Sequence, residues 1–499
     1  MSLTTGVAHG SNRFVDGSDL NNFSFALMPR YRQDGFEIKP FVSGYFTRIA
    51  DTRPLFTTTG PFLPAIPRMG KYLGQTWANN KLDHFNHGVI MRGMLTDTLG
   101  FRGGAFRSSV RKRTNFTEIF SALDTQGLTR HRLIADPDQL NYSNSWEALF
   151  YQRFNGGDVR HTLLAGVRGR LRHTESGGSD AFDFGTSEWG EEDPQPRPVF
   201  DFAPVNVGRL KQTTYSLGYF GRMKNVGQLT LGLHKSVYDA TFQSAAGTTT
   251  SSASPWLYNV GLRLRPFAWM TVYGAYVTGL EDSGAAPENA ENRNQQLPAS
   301  RTRQIDGGMN VKFGKLTLVG SLFQITKPYF SYDTSRNFVE LGTVRHRGAE
   351  VSLAGDITDR LHVLAGAVIM DPVVSGPARD LGLIGKRPVG VPKIHSRIDL
   401  SYRSAIWDGL TFTATAFHDS KRAASAGNYA ELGHRQLFLP SLTTVDLGVR
   451  HHFKIDKTPL GVRLTLANVL DTKAWKSIAS NVFQQDERRR LSLFVLADF

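Results

Sequence analysis

The sequence predicts an all-β fold, a transmembrane antiparallel β-barrel, and three observations lead to it. First, residues 491–499 alternate between apolar positions such as Leu491, Leu493 and Val495 and a second face, and they end on Phe499. A period-two stripe of this length suits a tilted membrane-crossing strand. Second, no apolar run approaches the ~18 residues that a spanning helix needs. Third, short polar turns alternate with long connections along the chain, as at the two ends of bacterial barrels.

Composition agrees with this fold class. The chain has 499 residues, 40% of them apolar, and a slightly negative mean hydropathy, as expected when only every second strand residue meets lipid. Cysteine is absent, which excludes disulfides and thiolate metal sites. The net charge of +14 favours an anionic surface or ligand. Because the basic residues form neither a tail nor a recognisable nucleic-acid motif, we expect no nucleic-acid partner.

Residues 2–14 are predicted as the first strand, and tight reversals follow it at regular intervals. Their Gly, Asn and Asp content favours short turns between antiparallel strands. The predicted turns are Gln33–Gly35, Asp97–Leu99, Asn155–Asp158, Asn225–Gly227, Pro266–Phe267, Gly314–Lys315, Asp356–Asp359, Ile406–Gly409 and Asp456–Thr458.

The intervening connections are much longer and are predicted to be extracellular loops. They run over residues 49–82, 112–143, 174–208, 240–254, 281–299, 328–343, 372–392, 421–438 and 471–487. With one rising strand at the start and one falling strand at the end, this pattern predicts about twenty strands. Alternation within segments agrees: in Gln304–Phe313, apolar Ile305 and Met309 oppose polar Asp306 and Asn310.

Several short motifs follow one another between Met270 and the C-terminus. They are Gly279-Leu280-Glu281, Gln304-x-Asp306-x-Gly308, Arg347-Gly348-Ala349-Glu350, Gly385-Lys386-Arg387-Pro388 with Val391-Pro392, and Asn468-Val469-Leu470-Asp471. In this order, before a terminal Phe, the set resembles the barrel of TonB-dependent siderophore receptors. Asp306 stands where that family usually has Glu. Residues 12–48, with Pro29-Arg30 and Lys39-Pro40-Phe41, also resemble an early barrel segment of the family.

The resemblance implies a domain organisation. Residues 1–499 would form one receptor-like barrel domain, about twenty strands of a barrel with ~22. The family also has a signal peptide, a coupling segment and a globular plug before the barrel, and none is recognisable in residues 1–14. We therefore expect these parts, and the first two strands, to be missing from this chain.

The resemblance also implies a function: transport of iron–siderophore complexes across the bacterial outer membrane, energised through TonB. The implied partners are a ferric siderophore as transported ligand, the TonB complex, lipopolysaccharide and outer-membrane lipids, and the barrel-assembly machinery, for which Phe499 would be the signal. The chain would be an integral outer-membrane monomer without a cofactor. Three alternatives remain open: a passive diffusion channel, a truncated, nonfunctional receptor fragment, and a structural or phage-receptor surface protein.

Basic clusters recur where strands meet the long loops. Outward-facing members would pair with lipopolysaccharide phosphates, and inward-facing members would attract an anionic ferric chelate. The simpler interpretation is solvated charge that keeps loop bases out of the hydrocarbon, where a midplane Arg costs ~2–4 kcal/mol. The candidates for the lipopolysaccharide or anion rim are Arg111, Arg113, Arg172, Arg422, Arg488 and Arg490.

Aromatic residues with nearby arginines form the candidate ligand site. Such groups suit planar aryl siderophores through stacking and cation–π contact, although packing within loops is the competing interpretation for each residue. The candidates are Tyr72, Trp77, Tyr329, Tyr332, Arg336 and Arg345.

Metal binding and catalysis find little support in the sequence. His84 and His87 are three residues apart, which on a strand puts their side chains on opposite faces. No nucleophile elbow with triad partners, phosphate loop or zinc-peptidase helix occurs. We therefore expect neither a protein-bound metal nor an enzyme.

Overall fold

The computed structural model describes residues 1–125, 127–286, 291–292, 295–332, 337–456 and 458–497. The strands are β1 (Ser2–Arg13), β2 (Asp19–Gln33), β3 (Phe36–Ala50), β4 (Leu55–Thr58), β5 (Lys81–Met94), β6 (Leu99–Ala122), β7 (Leu128–Asp136), β8 (Gln139–Gly156), β9 (Val159–Ser176), β10 (Asp180–Glu188), β11 (Asn206–Met223), β12 (Gly227–Ser244), β13 (Gly247–Ala253), β14 (Trp256–Phe267), β15 (Met270–Glu281), β16 (Ser300–Phe313), β17 (Leu316–Tyr332), β18 (Phe338–Asp356), β19 (Leu361–Ser375), β20 (Ile394–Arg403), β21 (Leu410–Asp419), β22 (Arg422–Ala423), β23 (Phe438–Leu439), β24 (Leu442–Ile455), β25 (Thr458–Ala467), β26 (Trp475–Ala479), β27 (Val482–Gln485) and β28 (Arg490–Ala497). A four-residue helix, α1 (Pro377–Asp380), and a 3-10 turn at Ala430–Leu432 complete the set within these ranges.

Twenty strands pair antiparallel in chain order and form the barrel wall. They are β1–β3, β5, β6, β8, β9, β11, β12, β14–β21, β24, β25 and β28. This confirms the predicted antiparallel fold and strand number. Within the described ranges, β1 pairs only with β2 and β28 only with β25. The barrel of ~22 strands that the family resemblance implies stays a prediction.

The short turns lie where the sequence predicts them, with one shift. Between β14 and β15 the reversal falls at Ala268–Trp269 rather than at Pro266–Phe267, because Phe267 still pairs with Met270. At the first turn, Asp34 and Gly35 have φ values of 49° and 80°. Positive φ at both central residues is the geometry that matches the twist of antiparallel hairpins, and it explains the choice of Asp and Gly.

The loop predicted at 328–343 is shorter than expected. β17 continues to Tyr332 and β18 begins at Phe338, so their ladder extends past the predicted boundary. The loop predicted at 240–254 is likewise a hairpin, because β13 pairs with the upper part of β12. In both places the hydrogen-bonded ladder continues beyond the length needed to cross a membrane.

The two faces of the wall differ as the alternation predicts. On the outer face, Leu217 is 62% exposed and Leu322 is 70% exposed, whereas Thr214 on the inner face is 3% exposed. The predicted faces of Gln304–Phe313 are confirmed, since Ile305 and Met309 lie among these outward, exposed apolar residues. Among the described residues, no helix has the length and apolar composition needed to span a bilayer.

At the end opposite the short turns, the long connections pack together into a loop layer. We define it as β4, residues 115–122 of β6, β7, β10, β26 and β27, together with the long loop segments, outside the wall strands, that pack against them. These strands pair in the order β10–β7–β6–β4–β27–β26, and β4 runs parallel to β6. The layer has its own core, which consists of Phe56, Leu73, Phe120, Ala424, Leu437, Leu439, Trp475 and Phe483.

Candidate ligand-binding site

The inner face of the wall is polar and basic between β6 and β12. One row of laterally paired residues crosses it, and laterally paired side chains point to the same side of a sheet. The row consists of Gly104, Glu147, Arg168, Thr214 and Ser236. Glu147 and Arg168 are neighbours in this row, and the buried small polar residues Thr214 and Ser236 continue it on the side of Arg168.

Strand β9 carries three arginines on this inner face. Arg168, Arg170 and Arg172 occupy alternate positions, so their side chains point to the same side at intervals of roughly 7 Å. Arg102 of β6 joins them from the side and donates two hydrogen bonds to Glu147 Oε1, at 3.0 and 2.7 Å. The carboxylate of Glu147 is thus engaged by Arg102.

The β9 arginines are incompletely paired. Arg168 has no hydrogen bond or ion pair with any described residue. Arg170 donates one long hydrogen bond, at 3.4 Å, to Gln212 Oε1, and Arg172 forms an ion pair with Asp282. The buried Nε atoms of Arg170 and Arg172 find no acceptor within the described parts of the chain.

Asp282 directly follows β15 and contacts Arg172, the β9 arginine of this group that lies nearest the loops. It accepts a hydrogen bond of 2.5 Å from Tyr238 Oη and the ion pair from Arg172. Burial raises the pKa of Asp282, but the Tyr238 hydrogen bond and the Arg172 charge outweigh it and leave the pKa below its ordinary value. Asp282 therefore remains ionised at neutral pH and holds Arg172 in place.

These arginines line a cavity of about 1030 Å³ on the inner wall. Arg102, Arg168 and Arg170 form its basic side, and Leu280 also lines it. A second cavity of about 810 Å³ shares Arg102, Glu147 and Arg168 with the first and continues toward the short turns past Arg153, Arg160 and Arg222. The inner wall of this half thus offers a concave surface with more cationic than anionic groups.

Two predicted ligand-contacting aromatics pack inside the loop layer instead. Tyr72 Oη donates to the carbonyl oxygen of Thr52 at 3.1 Å, and burial raises the pKa of this phenol above its ordinary value. Trp77 Nε1 donates to the carbonyl oxygen of Gln195 at 2.8 Å, and its ring packs on Phe116. Both side chains have the packing role that the sequence left as the competing interpretation.

The remaining predicted ligand residues do not converge with these two. Tyr329 packs against the buried group around Val344 and Val374. Arg345 is exposed and follows the outward register of Arg303 and Thr326, so it does not line the cavity. Tyr332 is the last residue of β17 and its side chain lies outside the described part, as does Arg336.

The six rim arginines divide into different environments. Arg111 and Arg113 lie on the outer face with side chains 49% and 53% exposed, and they pair with Asp138 and Asp83. Arg172 lies on the inner face, as described above. Arg490 is exposed at the start of β28.

Arg422 and Arg488 are buried, which differs from a solvated rim. Arg422 donates to Asp419 Oδ2 at 2.9 Å and to the carbonyl oxygen of Trp475 at 3.3 Å. Arg488 makes a bidentate pair with Asp471, at 3.0 and 2.6 Å. These two arginines tie loop segments together and are not available to an external phosphate. Phe499 lies outside the described residues.

Arg102 and Arg168 could not be recognised from the sequence as members of one site. Of the three β9 arginines only Arg172 was predicted, as a rim candidate, and the period-two spacing of Arg168, Arg170 and Arg172 was the available signal for the other two. Only the strand register brings Arg102 beside them. His84 and His87 do face opposite sides, as expected, and no group of His, Asp or Glu suited to a metal ion occurs within the described ranges.

A family model described as "TonB dependent receptor-like, beta-barrel" matches residues 13–469. The chain belongs to this family. The match covers both the cationic wall and most of the loop layer, so both lie within the family's barrel domain.

Individual relatives are more distant. The chain is 26% identical over 274 residues to the ferrichrome receptor FcuA of Yersinia enterocolitica, which covers 52% of this chain and 34% of that protein. It is 26% identical over 171 residues to the probable TonB-dependent receptor BfrD of Bordetella pertussis, covering 33% and 23%. The chain thus spans about a third or less of the curated relatives it matches.

A solved structure confirms the architecture. The crystal structure of BauA, the ferric preacinetobactin receptor from Acinetobacter baumannii, superposes with a TM-score of 0.82 at 20% identity. The superposition covers 99% of this chain and 75% of that one. At this identity the likeness establishes the fold, a barrel of the kind characteristic of outer membranes.

Proposed function

We propose that this chain is the membrane-spanning part of a receptor that takes up iron–siderophore complexes across the bacterial outer membrane. The observation that carries the proposal is the cationic cavity of about 1030 Å³ on the inner wall of a barrel from the TonB-dependent receptor family. A cavity of this size accommodates a compact ferric chelate. The receptor names of two relatives, for ferrichrome and ferric preacinetobactin, support the same substrate class.

In the proposed mechanism, the loop layer and the inner wall bind the chelate and the TonB complex supplies energy for its passage. The ferric ion is cargo within its chelate, so the protein needs no resident cofactor. The packed loop layer supports this assignment, because its hydrophobic core holds the loops together without help from a ligand. The proposal assigns no catalytic residue.

Further partners of the proposed receptor lie at its outer surface. Arg111 and Arg113 are half-exposed on the outward face near the loop end, where guanidinium groups pair well with lipopolysaccharide phosphates. We propose that outer-membrane lipids contact the exposed apolar outer face. We also propose that the chain is a monomer and that Phe499 is the signal that the barrel-assembly machinery recognises.

Gene disruption in the host bacterium tests the proposal. We expect the disrupted strain to lose accumulation of radioactive iron from at least one siderophore and to regain it on complementation. Accumulation should again disappear when TonB is deleted from the complemented strain. Unchanged iron uptake from every siderophore on which the parent grows would overturn the proposal.

A passive diffusion channel is the second candidate. It is favoured by the two adjoining cavities, of about 1030 and 810 Å³, along the inner face of the wall. Planar-bilayer recording separates the candidates. Large conductance steps that no ferric chelate blocks would favour the channel, whereas a silent bilayer would favour the receptor.

A further inference from the structure

Arg168 and Arg170 of β9 differ in their pairing from the buried arginines Arg422 and Arg488. Arg422 and Arg488 each satisfy their guanidinium with a carboxylate and are thereby neutralised. Arg168 has no such partner among the described residues. Arg170 has only the neutral amide of Gln212 at 3.4 Å. Arg168 is exposed and Arg170 is partly buried, so both guanidinium groups are accessible to an anionic ligand and neither is neutralised by a carboxylate.

The buried Nε atoms strengthen this point. Nε of Arg170 and Nε of Arg172 are shielded from solvent and have no acceptor in the described chain. A buried donor without a partner costs free energy, and native structures seldom retain one without a reason. Both side chains stand on the same face of β9 as Arg168, at alternate residues, so one ligand can contact several of them.

Carboxylates in reach are too few to neutralise the group. Glu147 is engaged by Arg102, at 2.7 Å. Asp282 is engaged by Arg172 and by Tyr238, at 2.5 Å for the latter. Arg168 and Arg170 therefore remain as the two cationic groups that face the cavity without a carboxylate of their own within the described residues.

We infer that Arg168 and Arg170 make this site selective for ferric chelates with a net negative charge. The inference rests on the proposed function and specifies its substrate class. Guanidinium groups would donate charge-assisted hydrogen bonds to the anionic oxygens of the chelate, and the concave wall would strengthen these bonds by excluding water. A neutral chelate of the same size leaves both arginines unpaired and binds more weakly.

The test compares two probes on the purified chain in detergent: a trianionic ferric tris-catecholate and a neutral ferric trihydroxamate. Equilibrium dialysis with radioactive iron gives both dissociation constants. We expect the trianionic chelate to bind at least about tenfold more tightly, since hydrogen bonds to charged groups are each worth about that factor. The preference should shrink as salt concentration rises.

The double variant Arg168→Gln with Arg170→Gln removes both charges but keeps polar side chains. We expect its preference for the trianionic chelate to fall by about tenfold or more. Arg209→Gln is the matched control, because Arg209 is an exposed arginine on the adjacent strand, in the outward row of His173. Arg168→Lys should retain part of the preference, since it keeps the charge without the planar fork.

The outcomes are distinguishable. If the wild-type chain binds the neutral chelate as tightly as the trianionic one, or if the double variant keeps the preference, the anionic assignment is overturned while siderophore binding stands. If the wild-type chain binds neither chelate, nor any other siderophore, both the assignment and the proposed function are overturned.

Discussion

The loop layer and the barrel wall bury their apolar side chains in opposite directions. In the loop layer, Phe483 is fully buried and Phe56 is 2% exposed, at the centre of a core like that of a small soluble domain. In the wall, Leu322 points outward and is 70% exposed. The loop layer is therefore stabilised by its own packing, whereas the wall needs lipid or detergent around it.

One chain therefore combines two regions whose stabilities can be changed separately. Many chain connections join the loop layer to the wall. The core of the loop layer, however, is formed by segments far apart in sequence, such as β4 and β27, which pair directly with each other. We therefore expect substitutions in one region to leave the other folded. The following substitutions test that separation.

The largest effect is expected for Trp475→Ala in the loop layer. Trp475 is 4% exposed, its ring lies 5.0 Å from that of Phe56, and its Nε1 donates to the carbonyl oxygen of Pro64 at 2.9 Å. Truncating a buried Trp costs about 3–5 kcal/mol. Limited proteolysis should cut the loops much faster, while the barrel keeps its heat-modifiable migration on gels.

The control for this substitution is Trp407→Ala. Trp407 lies in a short turn and is 67% exposed, so its loss should change neither measurement. If Trp475→Ala abolished barrel folding altogether, the two regions would not be separable.

The wall is probed by Leu322→Arg. A cationic group on the lipid face near the middle of a spanning strand costs about 2–4 kcal/mol, and the free energy of folding into lipid vesicles should fall by that amount. Ser321→Arg, one residue earlier and on the inner face, should have little effect. Equal losses for the two variants would contradict the assignment of inner and outer faces.

Sequence reasoning was most successful where structure is local. Turns such as Asp34-Gly35 and the alternation of Gln304–Phe313 could be predicted because backbone preference and period-two patterning act within a few residues. The number of wall strands followed from counting these local signals.

Sequence reasoning was weakest where residues distant along the chain meet. Tyr72 and Trp77 were predicted as ligand contacts, but their pairing with the carbonyl groups of Thr52 and Gln195 depends on how separate loops pack. The meeting of Arg102 with Arg168 across Glu147 depends on strand register. Local composition determines neither arrangement.

A smaller effect is expected for Glu118→Ala, which probes the polar part of the loop layer. Glu118 is fully buried, accepts the backbone N–H of Gln75 at 2.7 Å and lies 3.3 Å from His131 Nε2. Its removal leaves that N–H buried without an acceptor, which costs about 1–3 kcal/mol. Hydrogen exchange should accelerate in β4 and β7 and remain unchanged in the wall strands. Glu188→Ala, an exposed residue of the same layer, is the matched control.

The smallest and most condition-dependent effect concerns the pair of Asp471 and Arg488. The hydrogen bonds from Arg488 and from the Arg489 backbone lower the pKa of Asp471 to about 2. Because this folded-state pKa lies below its ordinary value of 3.8, the stability contributed by the pair is complete above about pH 4. It is lost as the pH falls toward about 2.

Pepsin cleavage of the loops, measured between these pH values, should therefore accelerate more in the wild type than in Asp471→Asn, which lacks the titrating group. Asp408→Asn, in an exposed turn at the other end of the barrel, should behave as the wild type does. Identical pH profiles for the wild type and Asp471→Asn would show that this ion pair does not hold the loop layer onto the wall.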